Sequence, residues 1–149
     1  MEIVKKYKWL LIVVLVLLAG VFFFYRLYHN DVKALADFSV SYEKFDKAIS
    51  YFSTGSTGDL ESKAGDALAE LNAKAVFRIS SLIKNDAKLM DQAREVAALS
   101  AREFDSLKAY KAAIQSKNAD SDRLAKEYGD LTDKRKTAYA RFQELAGLN

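Results

Sequence analysis

The chain has 149 residues, half of them hydrophobic and 29% charged, with neither proline nor cysteine. That is room for one ordinary domain plus one appended element, in a composition that favours long uninterrupted helices over sheets or disorder. Without cysteine there is no disulfide, thiol nucleophile, lipid-modified cysteine or zinc-finger spacing. The net charge of +3 does not point to nucleic acid, because Lys5, Lys6, Lys8 and Arg26 against Glu2 carry the whole excess and the chain from Leu27 onward is formally neutral.

Residues 1–8 read as a short basic start, expected on the cytoplasmic side. From Trp9 to Tyr25 no residue is charged, and Leu27 and Tyr28 extend the stretch past a single Arg26. About 20 helical residues span roughly 30 Å, the thickness of a bilayer core, so residues 9–28 are expected to form one transmembrane helix. Tyr7 and Trp9 at one end and Tyr25 and Tyr28 at the other suit the two lipid–water interfaces, and Arg26 can snorkel to the headgroups. A cleaved secretory signal is the competing reading, since Ala34-Leu35-Ala36 has the small-x-small form. The apolar segment is too long for it, and that site lies too far beyond Tyr25. Lys5, Lys6 and Lys8 before the span, against looser basic residues after it, orient the amino terminus inward and residues 29–149 outward. The expected location is therefore the cytoplasmic membrane, with a periplasmic or extracellular domain.

Beyond the span, Leu35, Phe38, Tyr42, Phe45, Ile49 and Phe52 are spaced 3, 4, 3, 4, 3, the packing seam of a helix over about 31–52. Asn30 or Asp31 would cap it unless it continues the anchor. Ser53 to Gly58 reads as a turn, with Ser56 or Thr57 as the next N-cap. A second helix is expected over about 59–84, carrying Leu60, Ala64, Leu68, Leu71, Ala75, Ile79 and Leu82 on its apolar face. A third, over about 87–116, carries Leu89, Ala93, Val96, Ser100, Phe104, Leu107 and Ile114. No glycine or proline divides them, so one helix over 59–116, and hence three long helices, is the alternative. The cost of driving Asn85, Asp86, Lys88 and Asp91 into lipid favours a turn near 84–87, with Asn85 or Asp86 as cap. The last helix, about 121–146, has its seam at Leu124, Tyr128, Leu131, Ala138, Phe142 and Leu145, and Gly147 is placed for a left-handed C-terminal cap. The expected fold is all-α: an N-terminal transmembrane helix followed by an antiparallel four-helix, coiled-coil-like bundle.

Chemistry is sparse. His29 is the only histidine and reads as an interfacial residue. The carboxylate-bridged metal bundles need inward Glu-x-x-His pairs that this sequence lacks, and no phosphate loop or acyl-transfer triad can be assembled. No catalytic residue, cofactor or metal ligand is therefore expected. Asp86, on the apolar stripe, is the one acid whose placement stands out, and a helix cap explains it. The run Lys134-Arg135-Lys136 is expected on a solvated face, answered by Asp130 and Asp133. Tyr110 and Tyr139 lie beside the seams and are expected at bundle edges, where they are candidates for partner contact.

The layout of basic start, single span and outer helical bundle resembles that of LemA-type membrane proteins and of chemoreceptor sensing domains, though without a motif of either at any position. The resemblance implies a membrane-tethered bundle and no particular reaction. Two roles fit: a non-enzymatic scaffold, adaptor or accessory subunit whose partners are the bilayer and another envelope protein or a second copy, or a sensor-like bundle that takes a small ligand between its helices.

Overall fold

The computed structural model describes residues 2–55, 58–80, 83 and 86–148, and the side chains of residues 2–6, 8 and 11 are not among those described. Four helices are present among these residues and no strand: α1 (Glu2–Thr54), α2 (Gly58–Lys74), α3 (Asp86–Gln115) and α4 (Ser121–Ala146). The fold is all-α, and the alternative of three long helices is excluded by the break between α2 and α3.

The anchor segment and the first bundle helix are one element, α1, of 53 residues. Asp31 therefore caps nothing. It is buried in the interior of α1 and accepts hydrogen bonds from the Ser80 backbone N–H at 3.1 Å and from the Ser80 hydroxyl. The basic start is likewise part of α1 from Glu2 on; the side chains of Lys5, Lys6 and Lys8 lie outside the described residues. At its far end two hydroxyls bond back to the helix: Ser53 donates to the Ser50 carbonyl at 2.7 Å and Thr54 to that of Tyr51 at 3.1 Å, which also accepts the Gly55 N–H at 2.9 Å. Gly55 follows, where a Cβ would collide with the Leu60 side chain, and its carbonyl accepts from Lys111. The expected caps Ser56 and Thr57 lie outside the described residues.

α2 ends at Lys74, ten residues before the expected 84. The pattern misled because Ala75 and Ile79 are buried, as a helical face would require, but from a non-helical segment. Tertiary contacts override the local phase: Phe77 meets Phe38 edge-on at 6.0 Å, and Ser80 is tied to Asp31. Leu82, Lys84 and Asn85 lie outside the described residues. α3 begins one residue earlier than expected, and Asp86 is its first residue, its carboxylate accepting the Ala87 N–H at 2.7 Å.

α3 closes through Lys117, the one described non-glycine residue at positive φ (51°). The Asn118 N–H bonds to the Ala113 carbonyl at 2.9 Å and that of Lys117 to Ile114 at 3.1 Å. Ile114, expected on the apolar face, is exposed there. α4 ends as its sequence implies, with Gly147 at φ 66° and its N–H directed to the Glu144 carbonyl.

The helices run up, down, up and down. Phe52 lies against Phe104 at the far end, while Phe38 packs on Phe142 with ring centroids 4.7 Å apart at the near end. All six expected seam residues of α1 are buried, together with Ala64, Leu71, Leu89, Ala93, Val96, Leu107, Leu131, Ala138 and Phe142. α1 and α4 meet chiefly through large rings, each buried aromatic contributing about 1.5–3 kcal/mol.

Candidate functional site

The centre of the bundle holds a charged cluster where a seam of hydrocarbon was expected. Arg135, expected on a solvated face, is buried at 1% exposure, whereas its neighbours Lys134 and Lys136 are exposed. Its position explains the difference: Leu131, Arg135, Ala138 and Phe142 are spaced 4, 3, 4, so Arg135 fills the gap in the α4 seam. Glu103 does the same on α3, three residues after Ser100 and four before Leu107, and is fully buried.

The guanidinium joins three helices. Its Nε donates to Glu103 Oε2, its Nη2 to Asp46 Oδ1 at 2.7 Å, and its Nη1 to the Tyr42 hydroxyl at 2.7 Å. Its plane also lies over the rings of Tyr42 and Phe45, 5.1 and 5.5 Å from their centroids. Thr132 Oγ1 is 2.6 Å from Glu103 Oε1, where it donates, and 3.0 Å from the Tyr128 carbonyl, which competes for the same proton. Two carboxylates thus answer one guanidinium. Glu103 is sealed in the core, and Asp46 is half-exposed, so the extra negative charge sits where water reaches it.

Burial alone disfavours the charge on Arg135, but Glu103 and Tyr42, with the hydrogen bonds to Glu103 and Asp46, outweigh it and raise its pKa. Tyr42 is pushed well above the usual tyrosine range, first by burial and then by Asp46 and Glu103, with Arg135 pulling the other way. Tyr128 and Tyr139 are raised too, mainly by burial.

Tyr139, expected at a bundle edge, is instead 8% exposed and stacks on Tyr42, with centroids 3.5 Å apart and planes at 11°. It belongs to the core because α4 meets α1 through rings, which widens the buried strip beyond the narrow seam. Tyr110 is half-buried and packs against the core. Tyr7, Trp9, Tyr25 and Tyr28 are exposed on α1, as is Arg26, and Tyr25 stacks on His29 at 6.3 Å. Among the described residues no group of three or more acidic or histidine side chains is placed to hold a metal ion.

Chemically, the cluster is a structural clamp. Every arm of the guanidinium is engaged within the protein, and the space around it is filled by Phe45, Tyr42 and Tyr139. A cleft of about 300 Å³ opens at the surface between α3 and α4, lined by Glu95, Leu99, Asp133, Thr137 and Arg141. Compared with family models, curated proteins and solved structures, the chain matches none.

Proposed function

We propose that the chain is a single-pass protein of the cytoplasmic membrane that holds a helical bundle outside it as a non-enzymatic scaffold, adaptor or accessory subunit. In this reading residues 1–8 stay in the cytoplasm, 9–28 cross the bilayer and 29–149 stand outside. The bundle's partners are another membrane or envelope protein or a second copy. The carrying observation is the division within α1, whose first half is long and apolar enough to cross a bilayer and has none of its described side chains buried. A soluble protein would leave its largest apolar surface in water, and burying each of those side chains in lipid is worth about 1.5–3 kcal/mol. The small-ligand alternative is less well supported, since rings and the Arg135 clamp occupy the middle of the bundle. A pull-down of the full chain in mild detergent is expected to bring down a second protein in stoichiometric amount or a defined oligomer; recovery of the monomer alone counts against the scaffold role.

A further inference from the structure

Once residues 9–28 are placed in a bilayer, the internal contacts fix how high the rest of the bundle stands above it. Through Arg135, Asp46 of α1 and Glu103 of α3 lie at one level. At about 1.5 Å per residue, α1 rises about 27 Å from Tyr28 to Asp46, and the parallel α3 rises about 25 Å from Asp86 to Glu103. The first turn of α3 is therefore level with Tyr28, the aromatic residue at the outer edge of the span. The segment after α2 descends to the same end, with Lys74 at Asp37, Phe77 at Phe38 and Ser80 at Asp31.

This end of the bundle has an unusual surface. Among the described residues Val76, at 74%, is the most exposed large apolar side chain outside the anchor, and Val32 and Leu148 are exposed at the same end. Two of the acids nearby are paired with cations, Asp37 with Lys74 and Asp91 with Arg94, while Asp31 is buried against Ser80, Asp86 accepts the Ala87 N–H at the start of α3, and Glu144 is exposed near the end of α4. Lys33, Arg78 and Lys88 are exposed and pair with no acid among the described residues. Three exposed cations beside exposed apolar groups, at headgroup height, complement an anionic lipid surface.

On the reading that α1 spans the membrane, we propose that the near end of the bundle rests directly on the bilayer and binds anionic lipid headgroups through Lys33, Arg78 and Lys88. The bundle then has a second attachment besides its anchor, which fixes its stance over the membrane instead of leaving it free to sway.

The absence of native cysteine makes single-site labelling clean. The full chain is reconstituted in vesicles of zwitterionic lipid with or without phosphatidylglycerol, carrying a fluorophore at Ala87→Cys, Lys126→Cys or Leu17→Cys. Quenchers are attached to lipid headgroups or to acyl chains. Ala87→Cys in anionic vesicles is expected to be quenched by headgroup quencher at least threefold more than Lys126→Cys at the far end, and to fall to the Lys126→Cys level in Arg78→Glu/Lys88→Glu. Equal quenching of these two sites, with Leu17→Cys still quenched from the acyl chains, overturns the proposal and leaves the anchor standing. Quenching of Ala87→Cys that ignores lipid charge and the double substitution overturns recognition of anionic headgroups. An unquenched Leu17→Cys overturns the membrane reading itself.

Discussion

Residues 9–28 and residues 31–54 belong to one unbroken helix, yet the first group exposes Leu17 and Phe22 by 64% and 66% while the second hides Phe38 and Phe45 completely. The two halves are equally helical, so what separates them is pattern. The lower half is apolar on every side, and the upper half is apolar along one seam and carries Glu43, Lys44 and Lys47 on its outer faces. A uniform coat suits a uniform apolar solvent; a seam suits packing against other helices with water outside. Because the same helix carries both patterns, no linker separates the two halves.

The largest effect that separates the halves is expected at the clamp. Arg135→Ala leaves Glu103 buried without its counter-charge and should destabilise the bundle by about 3–5 kcal/mol, a fall in Tm of roughly 12–20 °C by circular dichroism for a domain of this size. Membrane association should not change. A paired Arg135→Met/Glu103→Leu substitution is expected to recover much of that loss, since it removes both charges together. No recovery would mean that the clamp contributes packing that hydrocarbon cannot replace.

The converse substitution is Leu17→Arg in the lower half. A charge at mid-span costs about 2.5–3.5 kcal/mol of insertion free energy, so more of the chain should be released by alkaline carbonate extraction. The near-ultraviolet signal of the bundle's tyrosines should stay as it was. Loss of that signal would tie the two halves together more closely than their contacts imply.

These two positions also mark the limit of what was legible in the sequence. The α1 seam, the breaks after Thr54 and Gln115 and the Gly147 cap are local in origin, and each was readable from spacing or from turn residues. The clamp was hidden because a charged residue in a seam looks like a gap: Leu131 to Ala138 read as an interval of seven, and nothing along the chain pairs Arg135 with an acid on another helix 32 residues away. The early end of α2 was hidden for the opposite reason. Ala75 and Ile79 keep helical phase while the segment, not helical, is tied to Phe38 and Asp31, which are distant in sequence.

A smaller effect follows from the tyrosines. Burial raises Tyr42, Tyr128 and Tyr139 above their ordinary value of 10.0. The folded state therefore holds their protons more tightly than the unfolded one does. That stabilisation is complete below pH 10 and is lost progressively as pH rises beyond it toward the raised folded values. Tyrosinate absorbance should show these three ionising only as the far-ultraviolet helix signal falls; their ionisation with the helix signal intact would contradict their burial.

The smallest effect is expected at the α3–α4 turn, remote from both regions compared. Lys117 takes a left-handed conformation that glycine adopts without strain, so Lys117→Gly should raise stability by about 0.5–1 kcal/mol, measurable as a shift in urea midpoint. A decrease would show that the Lys117 side chain contributes more than its backbone costs.

The central claim is that α1 carries the chain from one side of a membrane to the other. In a chain without cysteine, Glu2→Cys and Lys126→Cys can each be challenged with a membrane-impermeant maleimide in intact cells. Labelling of Lys126→Cys from outside, with Glu2→Cys labelled only after permeabilisation, is the expected result. Equal labelling of both, whether from outside or only after lysis, would contradict it, and the reverse pattern would overturn the orientation alone.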